Sequence, residues 1–273
     1  MIVVVVALVL TSVAACGGKK PVTTADRFAQ ILGHAPKGVA ADVAKSGKLV
    51  IVNDDNYPPQ SSLDPKTEEL SGFDVDVARK VCEILGLEPQ FKQAEPETIP
   101  LGLKKWHFDV AIDSLMVTTD AARTVSFTKP YYFTPGQVIV KRGGPQIESV
   151  NDLTGLSVGV AADTVFADFL RKHPKVTSVV YVNEDDLVAA LVGGSIDAGL
   201  LSATSAQLVV DTNKRVVASG KPIFYQGLAF ATRLGEDDLI SLLDSAIAKM
   251  QADGSLQVLS QRWFLGLDLS TRQ

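Results

Sequence analysis

The chain has 273 residues, 46% hydrophobic and 21% charged, which suits one or two domains with a sizeable core. Its formal net charge of −5 argues against a nucleic-acid partner, which would favour a basic face. The three histidines, His34, His107 and His173, are widely spaced, and none stands at ligand spacing from a cysteine or carboxylate. No metal or cofactor is therefore expected.

Residues 1–15 are uncharged and run through a long apolar stretch at 2–10. A bilayer-spanning helix needs roughly 20 apolar residues, so this run reads as the apolar part of a secretory signal. Val13-Ala14-Ala15-Cys16 fits the lipoprotein cleavage pattern, with small residues just before a cysteine. Residues 1–16 are read as this signal, with lipid attached to the thiol of Cys16. Residues 17–45, with Gly-Gly-Lys-Lys-Pro and weak apolar content, read as a tether in which 25–32 form a short helix. Cys82 then stands alone and falls on the apolar face of a predicted helix with Ala78, Val81 and Leu85, as a buried inert thiol.

From Lys48 strand and helix patterns alternate. Strands are expected at 49–52, 109–112, 157–161, 179–182 and 197–201. Asp74 is expected to cap a helix whose apolar positions Val77, Val81 and Leu85 recur one turn apart and which Gly86 ends. Further helices are expected at 98–105, 163–172, from Asn183 or Asp185 to Gly193-Gly194, and at 236–252, with a short one carrying Trp263 and Phe264. This alternation points to an α/β fold with mainly parallel strands.

Asp54-Asp55-Asn56-Tyr57-Pro58-Pro59 and, after it, Gly72-Phe73-Asp74-Val75-Asp76-Val77-Ala78 carry a more specific signal. Together they resemble the opening of the bacterial extracellular solute-binding proteins of family 3, which feed polar amino acids to ABC importers. The resemblance spans residues 47–266. It implies a periplasmic-binding-protein-like fold: two α/β lobes joined by a two-strand hinge, with a ligand cleft between them. On that plan 46–138 and 229–268 form the first lobe and 139–228 the second. The crossings fall near 131–140 and 224–230.

The resemblance also implies which residues meet the ligand. Tyr57, on a backbone stiffened by Pro58 and Pro59, matches an aromatic that lies over the ligand. Asp54 matches a position that contacts the ligand side chain, and Gln60 puts a polar group where an aromatic is frequent. Ser114 and Thr118 lie in the turn that receives the ligand's ammonium and carboxylate. Asp113 stands where a small neutral residue is usual, and a carboxylate there favours a cationic group. Relatives that bind α-amino acids place an arginine six residues before the phenylalanine matching Phe127; here that residue is Ala121. Arg123 lies two residues on, about 200° round a helix, and replaces the arginine only if the backbone shifts. In the second lobe Thr164 remains, Asp163 replaces a glycine, and Ser202 replaces the aspartate that receives the ammonium.

The function implied is an exported substrate-binding lipoprotein, held at the extracellular face of the cell membrane by lipid on Cys16. It would be a monomer that closes its lobes on a small polar solute and delivers it to the membrane subunits of an ABC permease. The solute is an amino acid held in an altered mode or a compound of cationic character. The alternative is a dehydratase-like enzyme on the same fold, with Asp113 or Asp163 as general acid.

Overall fold

The structure, a computed structural model, describes residues 22–95, 98–162 and 164–272. The signal segment, Cys16 and Asp163 lie outside the described residues.

The tether expected at 17–45 is corrected wherever the structure describes it. Thr23 opens α1 (Thr24–Leu32) with a capping box: its hydroxyl accepts the Asp26 N–H at 3.1 Å and the Asp26 carboxylate accepts the Thr23 N–H at 3.0 Å. α2 (Gly38–Ser46) follows. Acidic residues further along the chain satisfy its first amides, with Lys37 N–H donating to Asp238 and Val39 N–H to Glu236, each at 2.8 Å. Phe28, Val39, Ala40 and Val43 are buried in the main core, so this segment is part of the globule. Its apolar residues are few and spread over two short helices, and the helix expected at 25–32 accounts for only the first.

β1 (Lys48–Asn53) pairs in parallel with β5 (Glu88–Gln93) and β6 (Val110–Met116). Between β1 and β5 lie a three-stranded antiparallel sheet, β2 (Asn56–Tyr57), β3 (Ser61–Leu63) and β4 (Leu70–Ser71), and helix α3 (Phe73–Leu85). α4 (Ile99–Lys104) precedes β6, and the short β7 (Val125–Phe127) follows it. The second half contains β9 (Ser157–Ala161), α5 (Val165–Arg171), β10 (Thr177–Tyr181), α6 (Glu184–Gly193), β11 (Ala198–Ser202), α7 (Ala203–Thr212) and β12 (Val216–Ala218). α8 (Asp237–Ala252) and α9 (Ser255–Trp263) return to pack on the first half.

Two long strands join the halves. β8 (Tyr132–Lys141) and β13 (Phe224–Arg233) pair antiparallel along Tyr132–Gly136 and Leu228–Phe224. Beyond that shared stretch β8 pairs with β11, and β13 with β6 and β7. The strand order β10-β9-β11-β8-β13-β6-β1-β5 therefore runs from one lobe into the other through two strands. Each lobe has helices on both sheet faces, the layering expected for parallel strands. In the first lobe α1, α2, α3, α8 and α9 cover one face around Phe73, Val81, Leu243 and Phe264, while α4 covers the other with Ile99 and Leu103. In the second lobe α5 packs through Phe166 and Leu170 on one face, and α6 and α7 through Leu187, Leu191 and Ala206 on the other.

One capping expectation is corrected. Gly72, not Asp74, caps α3, with φ of 141°. A Cβ there would collide with the carbonyl oxygen of Gln60, so the helix starts as it does because residue 72 is glycine. Asp74 sits inside the first turn and is fully buried. Cys82 is buried, and burial pushes its thiol up to about 12, which leaves it inert at neutral pH.

Candidate ligand-binding cleft

Parallel strands place their carboxyl ends at one edge of the sheet, and loops leaving that edge build ligand sites. Here Asp54 directly follows β1, β6 carries Asp113 and Ser114 near its end, and β9 leads to Thr164 at the start of α5. These elements enclose a cleft of about 440 Å³ between the lobes, within the range typical of small-molecule sites. The first lobe contributes Asp54, Tyr57, Asp113, Ser114, Leu115 and Met116 to its walls. The hinge strands contribute Thr134, Gln226 and Leu228, and the second lobe Thr164, Val165 and Phe166. No lysine, arginine or histidine is among these lining residues.

The two aspartates are tied together. Asp113 Oδ1 accepts the backbone N–H of Asp54 at 2.8 Å, and Asp54 Oδ1 accepts the N–H of Asn56 at 2.8 Å. Asp113 is only 4% exposed. Burial raises its pKa to about 7; the Asp54 N–H opposes that rise and the Asp54 charge adds to it. Tyr57 is exposed beside them, and its phenol is pushed up by burial of its hydroxyl end and by the charges of Asp74, Asp113 and Asp54.

Beneath this wall lies a buried polar network. Ser114 has φ of 50°, a left-handed conformation that costs a non-glycine residue about 1–3 kcal/mol and persists only where its surroundings hold it. Its N–H donates to the Tyr131 hydroxyl at 3.1 Å, and its Oγ donates to Asp74 Oδ2 at 2.7 Å. Tyr131 donates in turn to Asp74 Oδ1, and Tyr132 donates to Ser114 Oγ at 2.7 Å. Burial pushes the Asp74 carboxyl well up, opposed by the hydrogen bonds from Tyr131 and Ser114. Both tyrosines are pushed up by burial first and then by the charge of Asp74.

Of the residues singled out from the sequence, Asp54, Tyr57, Asp113, Ser114 and Thr164 meet in the cleft. Thr164 also caps α5, its hydroxyl accepting the Ala167 N–H at 3.2 Å and donating to the Ala161 carbonyl at 2.9 Å. Gln60 lies below the cleft beside Tyr132, and its Oε1 is buried without a hydrogen-bond partner among the described residues. Thr118 is exposed and accepts the Ala121 N–H at 3.1 Å. Ser202 caps α7 by accepting the Ser205 N–H at 3.0 Å. Neither Thr118 nor Ser202 is among the residues lining the cleft. Arg123 points away from it: the side chain is 75% exposed, pairs with Asp120 at 3.4 Å, and borders a separate groove with Leu101, Lys104 and Leu234.

Sequence reasoning missed Met116, Thr134, Phe166 and Gln226 as cleft residues. Thr134 lay inside a hinge segment already recognised, so its polar side chain was a usable signal. Tyr131 and Tyr132, which fall in the expected hinge segment, are buried in the core. Trp106 is exposed under the Arg233 guanidinium and is not among the lining residues. Among the described residues no group of histidine, cysteine and carboxylate side chains is placed to hold a metal, and no helix is long and apolar enough to cross a membrane.

The sequence profile of the bacterial extracellular solute-binding proteins, family 3, matches residues 49–266. The chain is 31% identical over 243 residues to the L-cystine-binding protein TcyJ of Escherichia coli, covering 88% of this chain and 91% of that one. It is 30% identical over 218 residues to the ABC transporter arginine-binding protein 1 of the same species, covering 76% and 87%. A crystal structure from Bacillus subtilis superposes with a TM-score of 0.67 at 24% identity, over 85% of this chain and 95% of that one. The protein belongs to the family 3 extracellular solute-binding proteins, whose members with amino-acid ligands serve ABC transporters.

Proposed function

We propose that this protein is the substrate-binding lipoprotein of an ABC importer and that its solute carries a cationic group. The reading rests chiefly on one observation: among the described residues the cleft is lined by Asp54 and Asp113 and by no basic side chain. A cation between these carboxylates gains charge-assisted hydrogen bonds in a partly desolvated site. Tyr57 and Phe166 supply aromatic faces for cation–π contact. Ala121 stands where relatives place an α-carboxylate-binding arginine, and Arg123 faces away. An ordinary amino-acid grip through that arginine is therefore disfavoured. Cystine and arginine, named for two similar proteins, both carry ammonium groups, which fits an acidic cleft without fixing the solute.

Asp54, Tyr57, Asp113, Ser114 and Thr164 are the ligand contacts in this reading. The lobes close about β8 and β13, and the closed form is what a permease receives. Lipid on Cys16 holds the chain at the extracellular face of the membrane. No catalytic activity is assigned, in line with the similar proteins named as binding proteins. The dehydratase alternative draws on the raised pKa of Asp113, which suits a general acid near neutral pH.

A thermal-shift screen tests the reading, with amines, guanidines and quaternary ammonium compounds in one set, common amino acids in a second and cyclic hydroxy acids in a third. A ligand at 100 times its dissociation constant adds about 2.7 kcal/mol, a rise of roughly 5–10 °C for a chain of this size. Shifts with the cationic set support the proposal. Turnover of a cyclic acid that is lost in Asp113→Asn would favour the enzyme instead.

A further inference from the structure

Asp74 is a fully buried carboxyl that is not among the residues lining the cleft, yet it is hydrogen-bonded to Ser114 in the cleft wall and to Tyr131 behind it. An ionised carboxylate only accepts, so both hydroxyls facing it must donate. Ser114 spends its single hydroxyl hydrogen on Asp74 Oδ2 at 2.7 Å, and one Oγ lone pair receives the Tyr132 hydroxyl at 2.7 Å. The Tyr131 hydroxyl, 3.4 Å from the same Oγ, is engaged elsewhere, accepting the Ser114 N–H and donating to Asp74 Oδ1. One lone pair of Ser114 Oγ is left. Ser114 lines the cleft, so that lone pair is what it offers to a solute.

We propose that Asp74 is the positioning residue that fixes Ser114 as a hydrogen-bond acceptor toward the cleft, and so selects cations bearing N–H donors over fully alkylated cations. This rests on the cationic-solute reading and deepens it. Asp54 and Asp113 supply negative charge, which attracts any cation. Ser114 adds directional discrimination, because a trimethylammonium group has no hydrogen to give it. In the acid form Asp74 would donate to Ser114 Oγ and release the serine hydrogen into the cleft, removing Ser114's contribution to the preference. The groups that bear on Asp74 across the packed elements are Ser114, Asp113, Tyr131, Tyr132 and Tyr57. The selecting form is therefore the ionised one, and burial, which raises the Asp74 pKa, delays it to higher pH.

The test compares matched cations at pH 8.5 by calorimetry: ethanolamine against choline, and lysine and ornithine against their fully N-methylated forms. The wild-type protein should prefer the N–H forms. Asp74→Asn, whose amide donates to Ser114, should cut that preference by roughly tenfold, the worth of one charge-assisted hydrogen bond. Binding of the methylated forms should stay within about threefold, because only the hydrogen-bond sense has changed. A structural defect, or loss of charge alone, would weaken both members of each pair together and overturn the proposal. Ser114→Gly supplies a second variant should Asp74→Asn fail to fold, since glycine tolerates the left-handed φ of 50°. It should cut the same preference by a similar factor, and a preference left undiminished overturns the proposal. If the wild type binds no member of any pair, the cationic-solute reading falls and this one with it. If both members bind without preference, this inference alone fails.

Discussion

The backbone N–H of Asp54 is held by the side chain of Asp113 at 2.8 Å, so the loop after β1 that carries Asp54 is tied to the β6 carboxylate before any solute arrives. One consequence is pH dependence. The folded protein raises Asp113 to about 7, above the ordinary carboxylate value, so its ionisation destabilises the fold. The penalty is absent below the unfolded pKa, grows as pH rises toward 7, and is complete above it. Asp113→Asn should therefore raise the unfolding midpoint by several degrees at pH 8 and by much less at pH 4.5, as read by thermal unfolding at both values. For a cationic solute the sign is opposite: affinity should fall as pH drops through 7, and Asp113→Asn should flatten that profile.

Tyr57 is half exposed over this pair. Tyr57→Phe should keep cation affinity within about threefold, because the ring face remains, whereas Tyr57→Ala should lose roughly tenfold or more. Calorimetric titration of both variants separates the ring from its hydroxyl.

Arg123 gives a negative prediction. Its exposed pair with Asp120 at 3.4 Å contributes little to stability, and it lies outside the cleft. Arg123→Ala should change solute affinity less than twofold and stability by under about 0.5 kcal/mol. A large loss of affinity would show that the backbone carries the guanidinium into the cleft on binding.

Phe28 tests the N-terminal helices. It is fully buried in the first-lobe core, so Phe28→Ala should cost about 3–5 kcal/mol in urea unfolding. A tether residue would cost almost nothing.

Gly72→Ala should also destabilise, by about 2 kcal/mol or more, because the methyl group meets the Gln60 carbonyl and φ of 141° is unfavourable for alanine. The start of α3 would shift and Asp74 with it, so solute affinity should fall together with stability.

The strand–helix alternation was legible because buried parallel strands are continuous apolar runs and the helices keep a 3.6-residue period, whereas the two hinge crossings were implied only by the family resemblance. β9 matched its expected bounds, and the 236–252 helix was misplaced by one residue. α1 was expected at 25–32, but α2 and the burial of both helices were hidden, because short helices held by a few anchors leave little periodic signal. α7, following directly on β11, was also missed. In the site, Asp54, Tyr57, Asp113, Ser114 and Thr164 were singled out through the family resemblance, and all five line the cleft. Asp74 was not: an aspartate at a helix start normally reads as a cap. Only the tertiary placement of Ser114, Tyr131 and Tyr132 shows that it faces inward.

The most direct test of the central claim is a calorimetric titration of cationic solutes and common amino acids into the wild type, Asp113→Asn and Arg123→Ala, at pH 8. The expected result is binding of cationic solutes that weakens at least tenfold in Asp113→Asn and is unchanged in Arg123→Ala. Binding of amino acids irrespective of side-chain charge, lost in Arg123→Ala and indifferent to Asp113, would contradict it.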